Sequence, residues 1–510
     1  DPMNVLLVYP RYPDSFWSFR HALKFVGKKA AFPPLGLLTV AALFPETWET
    51  RLIDQNVRDV TDPDLAWADM VFVSAMTIQR DAVRDILARC RRLGVTTVAG
   101  GPLFTTAPED FPEADHLVLG EAELTLPPFL DDLARGCAQR IYTTNGRADL
   151  ALTPLPRWEL LDTRDYAAMN IQYSRGCPFD CEFCDITQLF GRRPRTKSRE
   201  QLTAELDALH TRGWKGGVFF VDDNFIGDRN KLKRELLPTI IAWQEEHGRP
   251  FSFFTESSID LADDPQLMTL MVQAGFTEVF VGIETPHDEG LHESGKVQNR
   301  NRDLLESVKR IQRAGLQVQG GFIVGFDSDP ASIFEKQIRF IQESGIVTAM
   351  VGMLTALRGT KLHQRLADEG RLLRDASGNN TAIALNFVPR MPVDTLIEGY
   401  RQILKSIYSP RPYYRRVVTF LKEYRTPPGG FQPNPAHLRA FFTSILFLGV
   451  LGRERLLYWK LFFWSLVRRP RLFPLAITLA IYGFHFRKVA ESISASGMFE
   501  GKERAESMSP

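Results

Sequence analysis

The sequence predicts an α/β chain in three parts: a doubly wound parallel sheet, an incomplete (β/α)6 parallel barrel, and a helical C-terminal extension. Three observations carry this reading. Short apolar runs alternate with helix-length segments over residues 3–135, the rhythm of βαβ units sharing one parallel sheet. After a polar linker at 136–165 the rhythm restarts and supplies six strand–helix units over 166–370. From about Gly370 the alternation stops. Residues 371–495 read as helices broken by prolines, and the polar tail 496–510 reads as disordered.

In the first part the strands are expected at 5–9, 50–54, 70–74, 96–99 and 116–119, with helices at 35–43, 80–93 and 124–133. Small and polar residues gather where strands end. Ser74, Ala75, Met76 and Thr77 follow the third strand, Gly100, Gly101 and Pro102 the fourth, and Gly120 and Glu121 the fifth. A doubly wound sheet binds ligands at these carboxyl ends, and glycine lets the backbone approach a broad ligand closely. Such loops serve many ligands, and some sheets of this kind only pack, so the loops alone name no cofactor.

In the second part strands at 170–173, 217–221, 251–255, 278–282, 318–324 and 349–354 alternate with helices at 199–212, 230–246, 264–274 and 302–314. A barrel site draws its polar groups from several strand ends. Asp222 and Asp223, Glu256, Glu284, and Gly320, Gly321 and Ile323 stand at those places in turn. A carboxylate there can accept ribose hydroxyls or an amino group, and any one of them can equally be a helix cap. In the third part Ser409-Pro-Arg-Pro412 and Thr426-Pro-Pro-Gly-Gly430 mark joints between helices.

With 510 residues, 44% hydrophobic and 24% charged, the chain can bury several cores. A formal net charge of +1 argues against a nucleic-acid coat, and no nucleic-acid partner is expected. Five cysteines, three of them in one loop, make no disulfide framework and point to a reducing cytoplasm. No secretory signal is visible before the strand-like run at 4–9, and no apolar stretch reaches the roughly 18 residues of a membrane span.

The chemistry is concentrated in Tyr173-Ser-Arg-Gly-Cys-Pro-Phe-Asp-Cys-Glu-Phe-Cys-Asp185, which spaces its thiols as Cys177-x-x-x-Cys181-x-x-Cys184. Three thiolates can hold three irons of a [4Fe–4S] cluster and leave the fourth iron open. An open position is what a catalytic metal needs, whereas a zinc knuckle needs a fourth ligand, and the nearest downstream histidine is His210. Phe183 can cover the cluster edge or pack on a ligand. Arg175 and the run Arg192-Arg-Pro-Arg-Thr-Lys197 flank the loop; they can balance thiolate charge, bind an anionic substrate, or lie solvated on the surface.

This loop resembles the signature of the radical S-adenosylmethionine enzymes. The resemblance implies that S-adenosylmethionine chelates the fourth iron through its amino and carboxylate groups, with Phe183, Asp222, Asp223, Glu256, Glu284, Gly320, Gly321 and Ile323 at its contact positions. It also implies an electron donor such as flavodoxin or ferredoxin. The preceding half, through Gly100-Gly-Pro-Leu-Phe-Thr-Thr-Ala-Pro-Glu109 and Leu119-Gly-Glu-Ala-Glu123, is similar to the Rossmann-like cobalamin domain of one subclass. The Asp-x-His-x-x-Gly motif is absent, so cobalamin is implied base-off, without a histidine ligand, on Ser74, Ala75, Met76, Thr77, Gly100, Gly101, Pro102, Gly120 and Glu121. Met76 or Thr77 is the expected residue beneath the corrin.

From about residue 4 to 490 the chain resembles the cobalamin-dependent radical S-adenosylmethionine methyltransferases, in the branch that includes the hopanoid C-2 methylase. That implies methylation of an unactivated carbon on a small, hydrophobic, lipid-like molecule. Two rivals stand beside it: a radical oxidative cyclase or ring-rearranging enzyme on the same scaffold, and a non-enzymatic iron–sulfur redox protein. Residues 437–490 carry nine Lys or Arg and one acidic residue, Glu454, among long aromatic and aliphatic runs. Helices of that kind either lie on an anionic membrane, at its cytoplasmic face, or pack on the barrel with their cations outward.

Overall fold

The computed structural model describes residues 2–425 and 435–495. The expected joint at 426–430 and the expected tail at 496–510 lie outside the described residues.

Six parallel strands build the first sheet: β1 (Asn4–Tyr9), β2 (Glu49–Asp54), β3 (Met70–Ser74), β4 (Thr96–Gly100), β5 (His116–Val118) and β6 (Ile141–Tyr142), in the order β2-β1-β3-β4-β5-β6. Val5, Leu6, Leu7 and Val8 are all buried, because helices cover both faces of the sheet and leave no polar side for alternation. The strand order reverses between β1 and β3, and that crevice is where an open α/β sheet takes its ligand. β6 rises from the stretch read as linker. Trp158, in the same stretch, is buried in the main core, so residues 136–165 are partly built into the fold.

The second sheet comprises β7 (Met169–Ile171), β10 (Gly216–Phe220), β11 (Phe251–Ser257), β12 (Phe276–Glu284), β13 (Gln317–Val324) and β14 (Ala349–Met353). These strands pair in chain order, all parallel, and β7 does not pair with β14, so the barrel is open. Between β7 and β10, a short antiparallel pair, β8 (Ser174–Arg175) and β9 (Arg195–Thr196), brackets the cysteine loop. Strand alternation assigns the two faces of the sheet. On β12, Val279, Val281 and Ile283 are buried in the core, which turns Phe280, Gly282 and Glu284 inward. On the same inner face Phe219 and Phe254 stack at 5.1 Å between ring centroids, with Phe32 at 5.4 Å from Phe219.

Helix Val393–Tyr408 packs on helix Ile333–Ser344 and on β14, and breaks at Ser409 before helix Pro410–Glu423, as the proline joint there predicts. Helices Arg455–Arg468 and Phe473–Ala495 close the C-terminal part. Its core is continuous with that of the barrel, whereas the first sheet keeps two clusters of its own.

The carboxyl ends of the two sheets meet. Glu121, just past β5, pairs with Arg175 of β8 at 2.8 Å. Arg358, past β14, pairs with Glu109 at 2.5 Å. Gly378 (φ +75°) lies so tightly over the β3 loop that an added Cβ would stand 2.6 Å from the Ile78 nitrogen and 2.8 Å from Thr77 Cβ.

Candidate active site

The cysteine loop is fastened before it begins. Asp222, past β10, accepts hydrogen bonds from the Tyr173 N–H at 2.9 Å, the Ser174 N–H at 2.7 Å and the Ser174 hydroxyl at 2.5 Å. Asp223 accepts the Gly176 N–H at 2.8 Å. Gly176 sits at φ +97°, and a Cβ there would come within 2.9 Å of the Arg193 carbonyl and 3.0 Å of the Gly191 carbonyl. Only glycine turns the chain into the loop at this point.

The side chains of Asn224 and Gln298 each place an amide N–H 3.9 Å from a thiol sulfur, Asn224 at Cys177 and Gln298 at Cys181. Burial pushes the Cys177 thiol up and the Cys184 thiol up to about 12, while Lys296 pulls both down. Deprotonated sulfur here therefore calls for a cation in contact. The three thiols are free of disulfides. Among the described residues no three His, Cys, Asp or Glu side chains are disposed to hold a single metal ion.

Lys296 is the residue the sequence reading missed. Its Nζ lies 2.7 Å from Glu284 Oε1 and 5.9 Å from the Phe183 ring centroid. Burial lowers its pKa, but Glu284 and then Cys181 outweigh that and hold it charged. Glu284 sits at φ +64°, a left-handed conformation that costs roughly 1–3 kcal/mol outside glycine and clusters at functional sites. Gly282 makes room for the pair: a Cβ there would collide with the Glu284 carboxylate and stand 2.8 Å from Lys296 Nζ.

The strand-end carboxyls share one trend. Burial, opposed by the Ser174 and Tyr173 hydrogen bonds, raises Asp222 to about 7; burial raises Asp223 to about 6; burial and then Asp223 raise Glu256 to about 8. Glu256 alternates with the buried Thr255 and Ser257, so it opens into the barrel interior, accessible yet surrounded by protein.

Two of the expected contact positions are also engaged within the protein. Both Asp222 oxygens accept from the loop backbone and Ser174, so Asp222 holds the cysteine loop in place. Gly320 faces the helices, where a Cβ would meet Phe322 and Ile346, while Gly321 faces inward, 2.9 Å from the Phe280 ring by the same test. Ile323 is half-buried, and its carbonyl accepts from Gln337 at 2.7 Å.

At the end of the first sheet the loops lie close together. A Cβ on Gly101 (φ +88°) would meet Ser74 Oγ at 2.6 Å and the Ala75 carbonyl at 3.2 Å. Ala75 also accepts the Leu103 N–H at 3.0 Å, and Pro102 opens helix Pro102–Thr106. Gly100 passes just as near the Val118 carbonyl, at 2.7 Å by that test. Gly120 (φ +76°) donates to Thr105 Oγ1 at 3.0 Å and has open space on its Cβ side. Met76 is 46% exposed and Thr77 half-buried at the crevice.

Glu121 is built in elsewhere. Its carboxylate takes Arg175 at 2.8 Å, Arg195 at 2.8 Å and the Ala148 N–H at 3.0 Å, so it offers a ligand only its backbone. Glu123 binds Arg175 at 2.6 Å, and Lys197 pairs with buried Glu205. Three cations of the basic flank thus join elements, and Arg192 stays at the surface near Asp180.

Residues 171–341 match the Radical SAM superfamily, residues 29–130 the B12 binding domain, and residues 360–497 a domain of unknown function. The chain is 41% identical to an uncharacterized methyltransferase of Synechocystis sp., covering 96% of this chain and 92% of that protein. It is 36% identical to the hopanoid C-2 methylase of Rhodopseudomonas palustris, over 91% and 90%. The chain is a cobalamin-dependent radical S-adenosylmethionine methyltransferase. The solved structure of TsrM from Kitasatospora setae, with cobalamin and a [4Fe–4S] cluster, shares its fold at TM-score 0.61 and 16% identity, over 96% of this chain and 100% of that one.

The residues present fit this methyltransferase's cofactors. Cys177, Cys181 and Cys184, with amide donors at two sulfurs, suit a cluster bound at three corners. The open space at Gly120 and the exposed Met76 suit a broad ligand lying on the end of the first sheet, facing the barrel mouth. The Glu284–Lys296 pair, one acceptor and one donor beside Phe183, suits the amino-acid end of S-adenosylmethionine. Among the described residues no helix is long and apolar enough to cross a membrane.

Proposed function

We propose that this methyltransferase adds a methyl group to an unactivated carbon of a small, lipid-like molecule held in the barrel. The carrying observation is the inner wall itself. Phe32, Phe219, Phe254, Phe280 and Trp17 are each only partly buried and form two contact groups, Phe32 with Phe219 and Phe254, and Trp17 edge-on to Phe280 at 5.3 Å. Accessible aromatic rings inside a barrel suit a bulky apolar guest. The likeness to the hopanoid C-2 methylase supports the same substrate class.

When bound, the cluster with S-adenosylmethionine supplies hydrogen-abstracting radical chemistry, and cobalamin supplies the methyl group. The chain supplies position. Asp222 and Asp223 fix the loop that carries the thiols, and Asn224 and Gln298 donate to the thiolates. Glu284 and Lys296 offer one acceptor and one donor for the amino-acid end of S-adenosylmethionine, and the aromatic wall keeps water from the reacting carbon. No histidine stands in residues 74–79, 100–106 or 119–123, which supports base-off cobalamin, and Met76 or Thr77 would hold it at the end of the first sheet. A flavodoxin- or ferredoxin-like protein donates the electron.

The test is anaerobic. Enzyme reconstituted with cobalamin, given methyl-labelled S-adenosylmethionine and extracted lipids, is expected to label the neutral lipid fraction. Label confined to polar or soluble molecules would overturn the substrate class. Replacing any one of Cys177, Cys181 or Cys184 by Ala should abolish 5′-deoxyadenosine formation.

A further inference from the structure

The described residues expose fifteen large hydrophobic side chains, and ten of them fall between 438 and 467. They form two stripes. Leu438, Phe442, Leu446 and Val450 recur every fourth residue along helix Pro435–Ser444 and the π-helical turn Ile445–Val450 that continues it. Leu456, Phe463 and Val467 follow the outer side of helix Arg455–Arg468, while Tyr458, Leu461 and Ser465 on its opposite side are buried. Helical geometry puts each set on one face. Both helices have therefore already packed an inner side, and what they turn outward is again apolar.

The cations of this hairpin rim that face. Arg453 and Arg455 stand at its turn, Lys460 interrupts the second stripe, and Arg468 and Arg471 lie at its far end, all exposed. The only acidic residue from 437 to 490, Glu454, is buried against Arg487. An apolar face of this size, rimmed by one sign of charge, marks an interaction surface.

We propose that this hairpin face docks on an anionic lipid bilayer, lying in the headgroup region with its apolar stripes toward the acyl chains. Charge decides the occupant. A second copy of the chain would bring the same cations together with no exposed carboxylate between them, a like-charge contact that disfavours pairing. Anionic headgroups complement it, each Lys or Arg near the surface strengthening binding about fivefold. No described helix can cross the bilayer, so the hairpin lies on it.

The docking face also leads to the barrel. Phe447 contacts Phe25 at 6.0 Å, and Phe25 contacts Phe484 at 5.6 Å. On the same helix as Phe484, Phe486 stacks on Phe16 at 4.3 Å, and Phe16 adjoins Trp17, which touches Phe280 of the inner wall. Two sets of aromatic contacts, meeting on helix Phe473–Ala495, thus lie between the docking face and the inner wall. This role for the face rests on the lipid-substrate reading; the docking itself does not.

Flotation of the full-length protein with vesicles of phosphatidylcholine alone, or mixed with phosphatidylglycerol, tests the docking without any methyl transfer. Binding is expected on the mixed vesicles only and should fall as salt is raised. Leu456→Asp with Phe463→Asp, both at exposed positions, should reduce bound protein at least about tenfold, as should Arg453→Glu with Arg455→Glu. Unchanged cobalamin uptake shows that these variants are folded. Equal binding by wild type and variants, or no binding to mixed vesicles, would overturn the proposal. So would a wild-type dimer in light scattering that the apolar-to-Asp variant converts to monomer without any vesicle binding. Protein that floats with vesicles but labels only soluble substrates would sink the lipid-substrate reading and leave the docking intact.

Discussion

Asp222 shows how much one side chain decides. Its two oxygens accept three hydrogen bonds from Tyr173 and Ser174, immediately upstream of the three thiols. Asparagine has one acceptor oxygen and would turn an N–H toward donors, leaving at least one buried N–H unpaired at a cost of about 1–3 kcal/mol. Asp222→Asn is therefore expected to fold but to retain about a tenth or less of the wild-type iron after reconstitution, read by iron and sulfide content; full iron content would refute this. The thiols were legible in the sequence because their spacing is local. Asn224 and Gln298 were not, since they reach sulfurs 47 and 117 residues away through strand ends that meet only in the fold. Lys296 was hidden for the same reason. Asp222 was legible as a strand-end carboxylate, yet its partners in the cysteine loop were not.

At the scale of elements, the strand ends of the barrel crowd carboxyl groups into a protein-lined space. Asp222, Asp223 and Glu256 have folded pKa values of about 7, about 6 and about 8, all above the ordinary carboxylate range. The unfolded chain gives up these protons first, so between about pH 4 and about pH 8 the folded state binds more protons than the unfolded one. The contribution of these groups to stability is thus greatest at the acid end and declines as pH rises through each folded value. Metal-free Glu256→Gln should lose less thermal stability than wild type between about pH 6 and about pH 8, measured by scanning fluorimetry. A steeper loss in the variant would show that the crowding is not felt. The βα rhythm made these strands legible, since parallel strands covered on both faces read as apolar runs. It did not reveal β6, two residues long, or helix Arg20–Val26, whose buried Ala22, Leu23 and Phe25 gain their meaning only against the C-terminal helices.

Over the whole molecule the two sheets present their carboxyl ends to each other, which on the proposed function lets cobalamin meet a carbon held in the barrel. Buried ion pairs set the spacing: Arg175, 11% exposed at its side chain, joins Glu121 and Glu123 to the cysteine loop. On the other flank the link is steric. Gly378 belongs to the segment that follows the barrel, yet its backbone rests on Thr77 and Ile78 of the β3 loop, with no space for a Cβ. If cobalamin lies on that loop, the Gly378 segment is part of the wall that holds it in place. Gly378→Val adds Cβ at a left-handed residue and against backbone, so the segment must lift, while both sheets keep their own cores. The variant should take up cobalamin about tenfold more weakly in an absorbance titration. It should also lose about half of the stabilisation that cobalamin gives wild type, falling from about 2.7 kcal/mol at a hundredfold excess over the wild-type Kd to about 1.4 kcal/mol. Cobalamin binding indistinguishable from wild type would mean that the cofactor sits clear of the β3 loop, and that the facing of the two sheets does not depend on this contact.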